Sequence, residues 1–159
     1  MPKKSIILLL LFFPLLIIGQ IGEQKTISKL IISDAKENGI DITQGIIEQQ
    51  AYLAFYLLED KSLFFANVWV KNNSSSFGRI FDKKYHKSVE SDKEYESHIM
   101  SFRWSYENSY NSKKGTANCE LIIIHKPVGK AFILTIIPEN LNVLVYKGHI
   151  DGSLNLNLN

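Results

Sequence analysis

The sharpest pattern in the chain lies between Ile99 and Glu107, where apolar and polar residues alternate one for one. Met100, Phe102, Trp104 and Tyr106 fall on one face, and Ser101, Arg103, Ser105 and Glu107 on the other. A period of two marks a strand with one buried and one wet face. Asn108 to Gly115 then supplies turn chemistry. Cys119 to His125, Ala131 to Ile137 and Leu141 to Tyr146 read as further strands, joined by Lys126-Pro127-Val128-Gly129 and by Pro138-Glu139-Asn140. Links this short join only antiparallel neighbours, because parallel strands need a long crossover. The second half of the chain is therefore predicted to be a β-meander.

Upstream, Tyr52 to Leu58 and Ser62 to Val70 flank Glu59-Asp60-Lys61 and predict a hairpin. Phe77 to Phe81 is a weaker strand, and the charged residues 82–97 read as an exposed connection. Lys25 to Asn38 fits two periods. Thr26 to Ser33 alternates as a strand, which is the preferred reading. Ile27, Leu30, Ile31 and Ala35 also share a helical face, with Asn38-Gly39 as a C-cap. Ile40 to Gln50 has no clear period. In the tail, 152–159, Leu154, Leu156 and Leu158 alternate with asparagines, a pattern that suits an edge strand or a frayed end.

The runs 119–125, 131–137 and 52–58 are apolar at nearly every position. A barrel washed by water outside would alternate in each strand, so these runs call for cover on both faces. An N-terminal helix, a second sheet or a partner subunit would supply it. The fold class that follows is mainly β: an antiparallel meander of seven to eight strands forming a curled sheet or partial barrel, with α+β as the alternative.

The first nineteen residues change the picture of where this domain works. Lys3 and Lys4 precede an uncharged run, Ile6 to Ile18, broken by Pro14 and followed by Gly19. That is the layout of a cleavable secretory signal, and the run is shorter than the roughly 17–25 residues a spanning helix needs. The expected organisation is a signal peptide, 1–19, followed by one β domain, 20–159. Exported, the protein would be periplasmic or extracellular and keep no stable membrane span. Removal of Lys3 and Lys4 turns 18 basic and 16 acidic residues into 16 of each. A neutral domain has no broad attraction for nucleic acid. The lone cysteine, Cys119, excludes an internal disulfide, and its place in the strand alternation reads as a buried thiol.

Candidate chemistry is sparse. No nucleophile elbow, zinc-protease, phosphate-loop or dinucleotide signature is present. His86, His98, His125 and His149 lack paired ligand spacing, although strand ends can converge in space. Glu90, Asp92, Glu94 and Glu96 read as a solvated segment without a calcium-loop glycine. The Asn-x-Ser triplets at Asn72 and Asn73 read as a polar surface loop. The aromatic line Phe102, Trp104, Tyr106, with Tyr110 beyond it, is the candidate ligand surface, and its competing reading is plain core. An up-and-down barrel of the lipocalin kind suits the length and the meander. The Gly-x-Trp signature of that family's first strand is missing, since the tryptophans are Trp69 and Trp104.

These observations predict a non-enzymatic binding module for a small apolar or aromatic-compatible ligand, or for an envelope component, with no cofactor and no metal. The alternative is an interaction protein that forms a homo- or hetero-oligomer through a doubly apolar sheet face. An enzyme ranks third, to be revived by histidines converging with a carboxylate.

Overall fold

Strands β1 (Lys25–Glu37) and β9 (Leu144–Asp151) pair antiparallel along most of their length, with Leu30 opposite Ile150 and Ala35 opposite Tyr146. This pairing closes a barrel. Between them run β2 (Ile40–Asp41), the helix α1 (Thr43–Glu48), β3 (Ala51–Leu57), β4 (Leu63–Trp69), β5 (Ser74–Val89), β6 (Glu96–Asn108), β7 (Lys114–His125) and β8 (Lys130–Pro138). The sheet order is β2-β1-β3-β4-β5-β6-β7-β8-β9. Eight strands form the all-antiparallel barrel and β2 is a short addition on β1. The computed structural model describes residues 25–89, 96–140 and 142–152. The expected signal segment and residues 153–159 of the tail lie outside the described residues; the candidate N-terminal helix at 25–38 is instead strand β1 and the start of the turn after it.

The meander and the hairpin at 59–61 stand where the alternation put them. The preferred strand reading of the first segment stands as β1, its helical alternative falls, and two further local readings are corrected. Asn38 and Gly39 do not cap a helix. Their φ values of 50° and 82° make a two-residue turn between Glu37 and Ile40, the primed hairpin geometry that Asn-Gly favours. Asp82 to Val89 and Glu96-Ser97 are not a connection: they belong to β5 and β6, paired from Lys84–Ser101 to Val89–Glu96. High charge misled there because a long hairpin arm can be wet on its outer side. The last strand spans Leu144–Asp151 rather than 141–146.

The barrel interior is solid with side chains. Phe55, Phe65, Leu53, Leu121 and Leu134 are fully buried, as are Met100, Phe132 and Tyr146 to within 1%. The rings interlock at offset and edge geometries: Phe55 and Phe65 lie 5.0 Å apart, Phe65 and Phe102 6.1 Å, and Phe65 and Trp104 4.8 Å. Two glycines let the wall curl. A Cβ on Gly78 would sit 1.7 Å from the Ser105 carbonyl oxygen, and one on Gly148 would sit 1.9 Å from that of Ile31. Neighbouring backbones approach closely at these corners, where a side chain would not fit.

The doubly apolar runs resolve into inner and outer faces. In β7, Leu121 and Ile123 point into the core while Ile122 and Ile124 are half-buried outside. On the outer wall Ala54 and Ala66 are buried and paired, next to Phe77. Around them Tyr56 and Phe64 pack on Phe77 at 5.8 and 5.1 Å. Part of the cover is therefore the wall's own aromatic side chains.

Helix α1 lies at the barrel end that carries the β4–β5, β6–β7 and β8–β9 links, packed on β1 and β3. Six residues cannot sustain a helix alone. Ile46, 2% exposed, anchors it to the core, and the Asp41 carboxylate accepts from the Thr43 N–H at 2.8 Å. At the opposite end β5 runs past β4: it pairs with β4 from Ser74 to Arg79 and with β6 as far as Val89.

Candidate functional site

The four residues of the predicted aromatic surface separate. Phe102 and Trp104 are core, each 3% exposed. The Trp104 indole N–H donates to the Phe65 carbonyl oxygen at 3.1 Å. Tyr106 is half-buried and packs on Trp104 at 4.4 Å. Burial, with help from the Glu139 carboxylate, pushes its phenol pKa up. Tyr110, 69% exposed, stands in the β6–β7 link.

Tyr110 does line a cleft, and the other aromatic residue in that lining is Trp69, not Trp104. The cleft lies at the α1 end, holds about 460 Å³, and is walled by Trp69, Asn72, Ser74, Ser75, Ser76 and Tyr110. That volume falls within the range of small-ligand pockets. Local geometry explains the assembly. Trp69 is the last residue of β4 and lies opposite Ser74 across the β4–β5 hairpin. Ser75 and Ser109 exchange two bonds, each 2.8 Å, that tie the Tyr110 turn to the wall. Ser76 donates to the Asn108 side chain at 2.5 Å. The loop between the strands is held by the Lys71 N–H donating to the Gln49 carbonyl at the end of α1.

Behind the cleft sits a buried amide. Asn67, 7% exposed, accepts from the Trp69 indole N–H at 3.0 Å and donates to the Tyr146 hydroxyl at 3.3 Å. Tyr146 belongs to β9, so this chain of bonds crosses the barrel. Burial pushes the Tyr146 phenol up to about 12, partly offset by the Asn67 bond.

A second cluster lies at the other mouth. His98 and His125 approach to 4.7 Å between ring centres. His98 Nδ1 bonds the Tyr85 hydroxyl, and Nε2 meets a Glu96 carboxylate oxygen at 2.5 Å. Two histidines and a carboxylate have thus converged: Glu96 and His98 are alternate residues of β6, a spacing visible in the chain, while His125 is brought beside them from β7 by strand register. His86 and His149 are exposed and lie outside this cluster. Among the described residues, no group of three or more His, Cys, Asp or Glu is placed to hold a metal ion.

Sequence reasoning missed Trp69, Asn67 and Tyr85. Trp69 sat at a predicted strand end, and a serine run after it was the available signal. Comparison with known protein families, with curated proteins and with solved structures finds no match.

Proposed function

We propose that this chain is an exported, non-enzymatic binding module that takes a small aromatic-compatible ligand in the cleft between Trp69 and Tyr110. The observation that carries the reading is that cleft: an indole and a phenol at the mouth of a barrel, with serine and asparagine groups around them. The ligand meets the mouth and not the barrel axis, because Phe55, Phe65, Phe102 and Trp104 fill the axis. A binding protein with a filled interior gains rigidity for the site on its rim, since wall and core move as one packed body.

The test is a ligand screen read by the Trp69 indole and the Ser74–Ser76 amides in two-dimensional NMR, together with thermal melting. A ligand held here raises the midpoint with its concentration, by about 2.7 kcal/mol of stability at a hundredfold excess over Kd. A midpoint that ignores every ligand but rises with protein concentration would replace this reading with the oligomer-forming one.

The Tyr85–His98–Glu96 chain favours a second reading, acid–base chemistry at the opposite mouth. A neutral imidazole has one N–H. With Glu96 accepting it from Nε2, Nδ1 is left to accept from the Tyr85 hydroxyl, the arrangement of a base drawing a proton from a nucleophile. Hydrolysis of phenyl acetate that falls to the buffer rate in both Tyr85→Phe and His98→Asn supports this reading. Equal rates in all three proteins and in buffer exclude it.

A further inference from the structure

Asn67 is an oddity that the barrel has to explain. It is an amide on the inner face of β4, between Phe65 and Trp69, among side chains that are almost all apolar. Buried polar groups survive where hydrogen bonds satisfy them, and such networks fix one geometry rather than several. Here the oxygen holds Trp69 and the nitrogen holds Tyr146. Tyr146 is 1% exposed and cannot move without the core. The Trp69 ring is therefore anchored, through Asn67, to the far wall of the barrel.

This anchoring fixes what the cleft can offer. An indole has a single N–H, and that of Trp69 is already given to Asn67. A ligand in the cleft meets ring carbon, not a donor. Ser74, Ser75 and Asn72 and the exposed Tyr110 supply polar groups around that apolar surface. An alkyl chain would leave those groups facing it unpaired, which is unfavourable. A ligand with a flat apolar face and a rim of hydroxyls satisfies both surfaces.

We infer that the cleft takes a sugar ring stacked on Trp69, and that Asn67 is the positioning residue that holds the indole ready for it. The inference rests on the binding reading of the cleft and adds the ligand class to it. A pyranose presents C–H groups on one face and hydroxyls at its edge, which matches ring carbon below and serine and asparagine around. With the indole already immobilised, no ordering of the ring opposes binding.

The test titrates the purified protein with glucose, N-acetylglucosamine and cellobiose, and separately with decanoate, by two-dimensional NMR. The sugars should shift the Ser74–Ser76 amides and the Trp69 ring protons, while decanoate leaves them in place. The Trp69 indole N–H should stay bonded to Asn67 at saturation, keeping its slow exchange with solvent. Asn67→Leu should weaken sugar binding by about two- to tenfold, since the ring must then be ordered on binding. Tyr146→Phe keeps the Asn67–Trp69 bond and should weaken it by much less. If Asn67→Leu fails to fold, the indole exchange measurement on the unaltered protein decides the positioning role. Silence of the cleft toward both sugars and decanoate defeats the binding reading itself. Decanoate binding without sugar binding leaves the cleft reading standing and overturns the sugar assignment. Sugar affinity unchanged in Asn67→Leu, or an indole N–H that leaves Asn67 for the ligand, overturns the positioning role.

Discussion

The indole N–H of Trp104, on β6, donates to the backbone carbonyl of Phe65, on β4, at 3.1 Å. These strands are not neighbours, since β5 lies between them. The bond therefore stitches the inside of the wall, where a polar indole atom would otherwise be buried without a partner.

Truncating Trp104 removes this bond and empties the centre of the ring cluster. Trp104→Ala should cost about 3–5 kcal/mol, a large part of a domain's stability. Ser105→Ala, one residue on and exposed, should change stability by no more than about 0.5 kcal/mol. Urea midpoints of the two variants compare them directly, and equal harmlessness would contradict the packing described.

Three glycine substitutions test the curl of the barrel. Gly148→Ala and Gly78→Ala would each drive a Cβ into a backbone carbonyl, and overpacking of this kind costs about 1–3 kcal/mol or more. Gly45 lies in α1 with nothing within 4 Å of its would-be Cβ. Gly45→Ala should therefore stabilise by about 0.4–1 kcal/mol, through helix propensity and a less free unfolded chain. Melting curves that put all three on one side of the parent would contradict the geometry.

Burial pushes the Cys119 thiol from its ordinary 9.0 up to about 12. The folded protein keeps this proton at pH values where the unfolded chain releases it. The resulting stability is fully present below pH 9, falls as pH rises above that, and is lost once pH passes the folded value. Cys119→Ala should flatten the decline above pH 9 in urea titrations. In the native protein at pH 8, a thiol reagent should label Cys119 only as fast as the barrel opens, and at once in denaturant.

Export carries its own check. If the short apolar run behind Lys3 and Lys4 is a cleavable signal, protein recovered from the envelope or the medium should begin at or near Gln20 by mass spectrometry. Intact Met1 in the membrane fraction would replace the cleavable signal with an anchor.

Local pattern carried most of the strands. The alternation of Met100, Phe102 and Trp104 against Arg103 and Ser105 put the right residues inside, because the pleat forces successive side chains to opposite faces whatever the sheet does next. The Lys126–Gly129 turn was legible for the same reason: Gly129 adopts the positive φ that only glycine takes freely. Where two periods overlapped, as in Lys25–Glu37, local signal could prefer the strand but not compel it. Its partners β3 and β9 settle the matter, and β9 begins more than a hundred residues later in the chain.

The sequence by itself determined an antiparallel meander with an aromatic, disulfide-free core. Only the tertiary structure decided that the sheet closes and that Trp69, not Trp104, shares a cleft with Tyr110. Likewise only the tertiary structure joined Asn67 to Tyr146 and brought His98 to His125 and Tyr85. The physical reason is the range of the forces that fix each feature. Pleat and turn are settled by bonded neighbours. Closure, ring packing and convergent side chains depend on register between strands far apart in the chain, where a slip of one residue would turn every one of those groups to the other face.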